Sequence, residues 1–221
     1  MVLRSFLTFF SVVLLSFALL IVSSGNPLWI GAWTIFGFDC LYFIVLLTIG
    51  RKHFPETVHG RAQTKFVHTW DKAAILIYSI SYYSQYLISG LTYRFSVTTF
   101  QPNLYIPGII LYAIGFGITF WVFAVNPYAT GSSRIQEERN QKLVSSGPYR
   151  IIRHPMYFAT VIFTLSIPLV LCSLWAYIPA PVVIGSFIYR TYREDAMLMN
   201  ELEGYRAYAQ GTRFRMIPFI W

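Results

Sequence analysis

Two stretches of this 221-residue sequence bring reactive side chains close together. The first reads Leu143-Val144-Ser145-Ser146-Gly147-Pro148-Tyr149-Arg150-Ile151-Ile152-Arg153-His154-Pro155-Met156-Tyr157. Gly147-Pro148 is a turn signal, and Pro155 is suited to the first position of a helix, with His154 just outside it. Arg153, His154 and the free amides of a helix N-terminus would then gather at one point, an arrangement that suits an anionic group. An interfacial arginine followed by a helix-starting proline accounts for the same residues. The second stretch carries Arg190, Arg193, Glu194 and Asp195. Arg190 and Glu194 are four apart and share a helical face, where a local salt bridge is the simplest reading. If the chain between the stretches folds back, these charges meet Arg153 and His154 in one polar cavity. Tyr205, Tyr208, Arg213, Arg215 and Pro218 follow in a tail polar enough to cap it.

Other reactive residues are more scattered. His53, His59 and His68 share one basic loop at spacings of six and nine, which fit neither one helical face nor a zinc knuckle. Cys40 and Cys172 both lie in apolar runs and imply no disulfide framework and no metal cluster. Asp39 is the one carboxylate inside an apolar run; such residues face protein or water, and a tyrosine hydroxyl or a backbone group would anchor it. Tyr78, Tyr82 and Tyr86 follow an i, i+4, i+8 spacing and stack on one helix face, as bundle packing or as a substrate groove.

The elements that must position these residues are apolar. The chain is 56% apolar and only 12% charged, about half the charge of an ordinary soluble domain. Disorder and collagen-like repeats are excluded by the same numbers. A bilayer core about 30 Å thick needs roughly 20 apolar residues in a helix. Residues 6–22, 73–91, 106–125 and 157–189 carry no charge, and 28–49 carries only Asp39. The class is an all-α, multi-pass transmembrane bundle. The last run is too long for one upright span, and it holds Pro168, Pro179 and Pro181. It reads as a helical hairpin turning around 171–176, with one long, kinked helix as the alternative.

Charge supports the hairpin, because cytoplasmic loops retain Lys and Arg. About six crossings with both termini inside put 16 of the 17 basic residues on one face, leaving Arg94 outside. A single final crossing would send the last five arginines outside. The net charge of +8 therefore marks the cytoplasmic face and not a nucleic-acid partner. A cleavable signal peptide is the alternative for 6–22, with Arg4 preceding it; the length of the run favours a retained anchor. The expected organisation is N-terminal, substrate-side helices over 1–133 and a core with hairpin and tail over 134–221.

With its Leu-Val-x-x-Gly-Pro-Tyr and Arg-His-Pro-x-Tyr elements, Leu143–Tyr157 resembles the isoprenylcysteine carboxyl methyltransferase family. So does the tail, with Arg190, Glu194, Leu198, Gly204, Tyr205, Tyr208 and Pro218. The resemblance covers 136–221. Asp195 and Arg193 stand where family members often have glutamates. The resemblance implies a membrane-embedded methyltransferase that uses S-adenosylmethionine, bound at the cytoplasmic end beneath the C-terminal segment. Carried over by position, Tyr149, His154, Pro155, Met156 and Tyr157 would line the cofactor site. Gln141, Lys142, Leu143 and Val144 would add main-chain and apolar contacts, and Glu194 would bind the cofactor. Arg190, with Arg153, would serve the substrate near the transferred methyl.

That chemistry needs no triad and no metal. Methyl transfer from a sulfonium is an in-line displacement whose main demand is positioning. A carboxylate acceptor such as a prenylated cysteine is already ionised, and an arginine can orient it bidentately. The lipophilic acceptor would enter sideways from the bilayer lipids and the cofactor from the cytoplasm, in a bacterial, archaeal or endoplasmic reticulum membrane. A nicotinamide-dependent sterol reductase shares a similar Arg-His-x-x-Tyr segment and tail, but the Gly-Pro-Tyr turn and the Arg190/Glu194 spacing favour the methyltransferase. A phospholipid N-methyltransferase is a nearer alternative, whose amine acceptor needs a proton removed. A scaffold or small transporter subunit would leave the clustered polar residues unexplained.

Overall fold

A computed structural model describes residues 2–61, 65–97 and 99–221, with side chains from Phe10 onward in those segments except His59 and Arg61. Arg4, His59 and Arg61, which entered the sequence reading, lie outside the described side chains. The described residues are helical, with no strand among them. The helices are α1 (Val2–Ser24), α2 (Ile30–Val45), α3 (Arg51–His53), α4 (Pro55–Arg61), α5 (Thr69–Arg94), α6 (Pro102–Val125), α7 (Pro155–Val170), α8 (Ala180–Glu201) and α9 (Tyr205–Gly211).

Helix α2 continues into α3 through a π-helical turn at Leu46–Gly50, giving one rod over Ile30–His53. That rod and α6 are long and apolar enough to cross a membrane, while Phe10–Ser24 and α7 are shorter apolar helices. Leu41, Ile44, Ile110 and Ile114 stay 46–58% exposed along these two long helices. Such an apolar exterior is what lipid covers. The run 73–91 does form the interior of α5, yet this helix is less apolar than α6. The reason is its inner face, where Gln85, Tyr86 and Ser89 are buried.

The helices approach closely at small residues. A Cβ on Gly90 of α5 would collide with the Ser23 side chain and the Ser24 backbone nitrogen of α1. One on Gly108 of α6 would lie 2.5 Å from the backbone nitrogen of Val170 in α7. Between these contacts, Leu20, Ile35, Tyr86, Tyr112 and Ile167 build a core from five helices. The tyrosine stack holds within it: the Tyr78–Tyr82 and Tyr82–Tyr86 ring centroids are 5.3 and 5.6 Å apart. Asp39 accepts a 2.8 Å hydrogen bond from the Tyr112 hydroxyl, so a tyrosine is its anchor.

The run 157–189 is two helices. Helix α7 ends at Val170, a 3-10 turn occupies Leu174–Tyr177, and α8 starts at Ala180. Pro168 cannot supply the N–H that would bond the Thr164 carbonyl one turn earlier. The side-chain amide of Gln85 supplies it instead, donating to Thr164 O at 2.9 Å and to Ala176 O at 3.1 Å. One buried glutamine thus ties both sides of the turn to α5. At the opposite end of the hairpin, Tyr157 of α7 and Phe187 of α8 pack with centroids 5.0 Å apart.

Candidate active site

Three local features assemble the site where α7 and α8 meet the polar tail. His154 precedes Pro155, the first residue of α7, so Arg153 and His154 lie outside the helix and their amides are free to bond elsewhere. The tail takes them: Arg153 N donates to Phe214 O at 3.0 Å and His154 N to Arg215 O at 2.8 Å. Gly204, at φ +79°, turns the chain from α8 into α9 in a conformation that favours glycine. This places Tyr205 and Tyr208 over the cleft, and the Tyr208 hydroxyl donates to Tyr149 O at 2.7 Å.

The charges form two buried groups. Asp195, 2% exposed, accepts from Arg153 Nη1 at 2.7 Å, Tyr205 OH at 2.7 Å and Arg215 Nε at 3.2 Å, and lies 3.3 Å from His154 Nε2. Burial pushes its carboxyl up; the His154 and Tyr205 hydrogen bonds and the Arg153 charge outweigh this and hold it below the usual aspartate range. Burial and the Asp195 charge raise the Tyr205 phenol, and burial raises Tyr208 to about 12, so both keep their protons at neutral pH.

The second group centres on Arg190, 3% exposed. Its Nε donates to Asp71 Oδ1 at 2.9 Å and its Nη2 to Gly131 O at 3.1 Å and Ser133 Oγ at 3.2 Å. The guanidinium stacks on Tyr157, 4.9 Å from the ring centroid. Glu194 stands beside this group with its side chain 20% exposed. Its Oε2 accepts from the Tyr157 hydroxyl and, at 3.0 Å, from Ser133 Oγ. Among the described residues every hydrogen bond to Glu194 falls on Oε2, which leaves Oε1 for a ligand.

These groups border a cleft that opens to solvent. Gln141, Lys142, Leu143, Val144, Tyr149, Arg153, His154, Pro155, Met156, Tyr157 and Glu194 all line it. Ten of these are the residues to which the resemblance assigns cofactor contacts, and Arg153 is the eleventh. Arg190, expected at the substrate, is not at the cleft surface, because Asp71 and the 131–133 loop already satisfy it. The expected anion subsite at Arg153–His154 is filled by the chain's own Asp195 and tail carbonyls. Arg190 and Glu194 do not form the local salt bridge that their spacing suggests; Arg190 turns to Asp71.

Sequence reasoning missed Asp71, Ser133, Asn126 and Ser132. Asn126 Nδ2 donates to the Tyr149 hydroxyl at 2.6 Å, and Asn126, Ser132, Leu198 and Leu202 also line the cleft. The one available signal for Asp71 was an acidic residue in the first turn of a membrane-type helix. Among the described residues no group of histidine, cysteine and carboxylate side chains could hold a metal ion, and His68 stacks on Trp70.

Residues 104–203 match the phospholipid methyltransferase family. The matched segment runs from the first turn of α6 just beyond α8, so it contains most of the cleft and both hairpin helices. It supports a membrane methyltransferase, and S-adenosylmethionine as the general methyl donor. The matched family is related to the isoprenylcysteine family that the Leu143–Tyr157 motif resembles, and the match is to the former. No curated protein matches the chain.

The cleft fits such a donor. Leu143, Val144, Met156 and Tyr149 offer apolar and aromatic surface, and Glu194 Oε1 offers an acceptor for an ammonium group. A sulfonium is a cation, and Arg153 and Arg190 are each neutralised by a buried aspartate.

Proposed function

We propose that the protein is an integral membrane enzyme that transfers a methyl group from S-adenosylmethionine to a lipophilic acceptor entering from the bilayer. The observation that carries this is the gathering of Glu194, Tyr149 and the 141–144 and 154–157 segments around one cleft, within a segment matching a membrane methyltransferase family. The charge distribution supports about six crossings with both termini and the cleft on the cytoplasmic side.

When bound, the cofactor supplies an activated methyl group to an acceptor aligned behind it. Glu194 Oε1 would hold its ammonium, with Oε2 fixed by Ser133 and Tyr157. The 141–144 segment, Tyr149 and Met156 would enclose the rest. The tail, strapped to Arg153 and His154 through two backbone hydrogen bonds, would close the cleft from the cytoplasm and exclude water.

Of the acceptors considered from the sequence, a lipid amine fits the charges better than a prenylcysteine carboxylate. An anionic acceptor calls for an uncommitted cation; the two buried arginines, Arg153 and Arg190, both have carboxylate partners, which leaves the exposed Lys142 at the cleft rim. An ammonium acceptor must lose a proton before it can attack. His154, which lines the cleft with Nε2 3.3 Å from Asp195 Oδ1 and Nδ1 4.0 Å from Glu194 Oε2, would take that proton. The match to phospholipid methyltransferases favours the same acceptor.

The test is thermal stability of the purified protein with S-adenosylmethionine, its demethylated product or NADPH. A ligand at about 100 times its Kd stabilises by about 2.7 kcal/mol, a rise of roughly 5–10 °C at this chain length. Protection by the first two supports the reading, and Glu194→Gln should remove it. Protection by NADPH alone refutes it in favour of a reductase. Methyl incorporation into amine-headgroup lipid, compared with a prenylcysteine, then decides the acceptor.

A further inference from the structure

Asp71 lies on α5, outside the segment that matches the methyltransferase family, yet it is fully buried against that segment. Its two oxygens are divided between two partners. Oδ1 takes the Arg190 guanidinium, at 2.9 Å from Nε and 2.8 Å from Nη2. Oδ2 takes the backbone N–H of Ser133 at 2.9 Å. The same Arg190 Nη2 also donates to Ser133 Oγ at 3.2 Å. One carboxylate therefore fixes both the backbone and, through Arg190, the hydroxyl of Ser133.

The hydroxyl protons of this group run toward Glu194. Arg190 has only donors, so Ser133 Oγ accepts from it. The single Ser133 hydroxyl proton is left for the Tyr157 oxygen at 3.1 Å or for Glu194 Oε2 at 3.0 Å. Tyr157 gives its own proton to Glu194 Oε2. These contacts engage Oε2 and leave Oε1 toward the cleft. Reversing the Ser133 hydroxyl would leave two acceptors, Ser133 Oγ and Glu194 Oε2, in contact.

We infer that Asp71 is a positioning residue for the ligand-binding carboxylate, acting through Arg190 and Ser133 to present Glu194 Oε1 to the cationic end of the cofactor. The inference rests on the functional reading above and goes beyond it: a residue of the N-terminal helices completes the cofactor site. Asp71 touches neither cofactor nor acceptor.

The experiment is a double-mutant cycle on the full-length protein in detergent or nanodiscs, reading S-adenosylmethionine affinity by isothermal titration. Asp71→Asn should weaken cofactor binding about 10-fold, the usual scale for a charged hydrogen bond. It should raise the cofactor KM while leaving the acceptor KM unchanged, and Asp71→Glu should recover part of the loss. In a Glu194→Gln background Asp71→Asn should have no further effect on cofactor affinity, because its route is already cut. Equal, additive losses in both backgrounds would overturn the inference and assign Asp71 a purely structural role. Ser133→Ala keeps the Asp71–Arg190 pair and the backbone bond, so it serves if Asp71→Asn does not fold. It too should weaken the cofactor and be silent beside Glu194→Gln, and unchanged affinity would refute the route. Wild-type protein without cofactor affinity refutes the functional reading and this inference with it. Wild-type affinity that Asp71→Asn and Ser133→Ala leave intact refutes only the inference.

Discussion

Replacing Asp195 by Asn should cost more stability than any other single polar change around the cleft. The carboxylate neutralises Arg153, whose side chain is 6% exposed, and also receives Tyr205 and Arg215. Arg153 Nε already lacks a partner, so its charge has little other compensation. Removing one member of a buried pair costs about 3–5 kcal/mol. Asparagine keeps the shape and one acceptor, which places the expected loss near the lower end, about 3 kcal/mol. At roughly 2–4 °C per kcal/mol for a chain of this size, the midpoint should fall by about 6–12 °C. The assay is thermal unfolding in detergent, followed by tryptophan fluorescence at several pH values. The folded-state pKa of Asp195 is depressed, so its contribution is full above the unfolded value near 4 and is lost as pH falls through the lower folded value. The wild-type advantage over Asp195→Asn should therefore be constant above about pH 5 and shrink below pH 4. A midpoint within about 2 °C of wild type at pH 7 would refute the reasoning, as would a gap that widens on acidification.

Gly108→Ala should destabilise by several kcal/mol, roughly the scale of overpacking a core, because its Cβ would meet backbone of α7 at 2.5 Å; a midpoint unchanged in thermal unfolding would contradict that contact. Gln85→Leu should cost about 1–3 kcal/mol by orphaning the Thr164 and Ala176 carbonyls, and faster hydrogen exchange in the 171–179 turn should accompany it. Glu138→Gln should change thermal stability only slightly, since the Glu138 side chain is 48% exposed where it meets Arg134 and solvent-facing pairs contribute little.

The helical class was legible in composition, and the hairpin in a 33-residue apolar run with three prolines. The cleft residues were legible for a local reason. Gly147-Pro148, His154-Pro155 and the Arg190–Asp195 turn are contiguous in the chain, so a motif can carry them. The roles of the two arginines were not legible. Arg153 and Arg190 look alike as cations beside a cleft, and their charges are cancelled by aspartates 42 and 119 residues away. Gln85 was equally silent, because its meaning depends on a carbonyl freed by a proline 83 positions later.

Hydrophobicity and local backbone preference act over a few residues, and they decided the helices, the turn at Gly147-Pro148, the start of α7 at Pro155 and the side of the bundle that carries charge. Pairing of buried charges acts through space, and only packing settles which partner arrives. Helix α5, folded against α8, brings Asp71 to Arg190 and takes that arginine out of the cleft. The tail, folded back on Arg153 and His154, fills with its own carbonyls the place a free anion would take. Among the buried charges of the site, Glu194 keeps an oxygen open to a ligand, an acidic group in a cleft that a count of basic residues along the chain would have made positive.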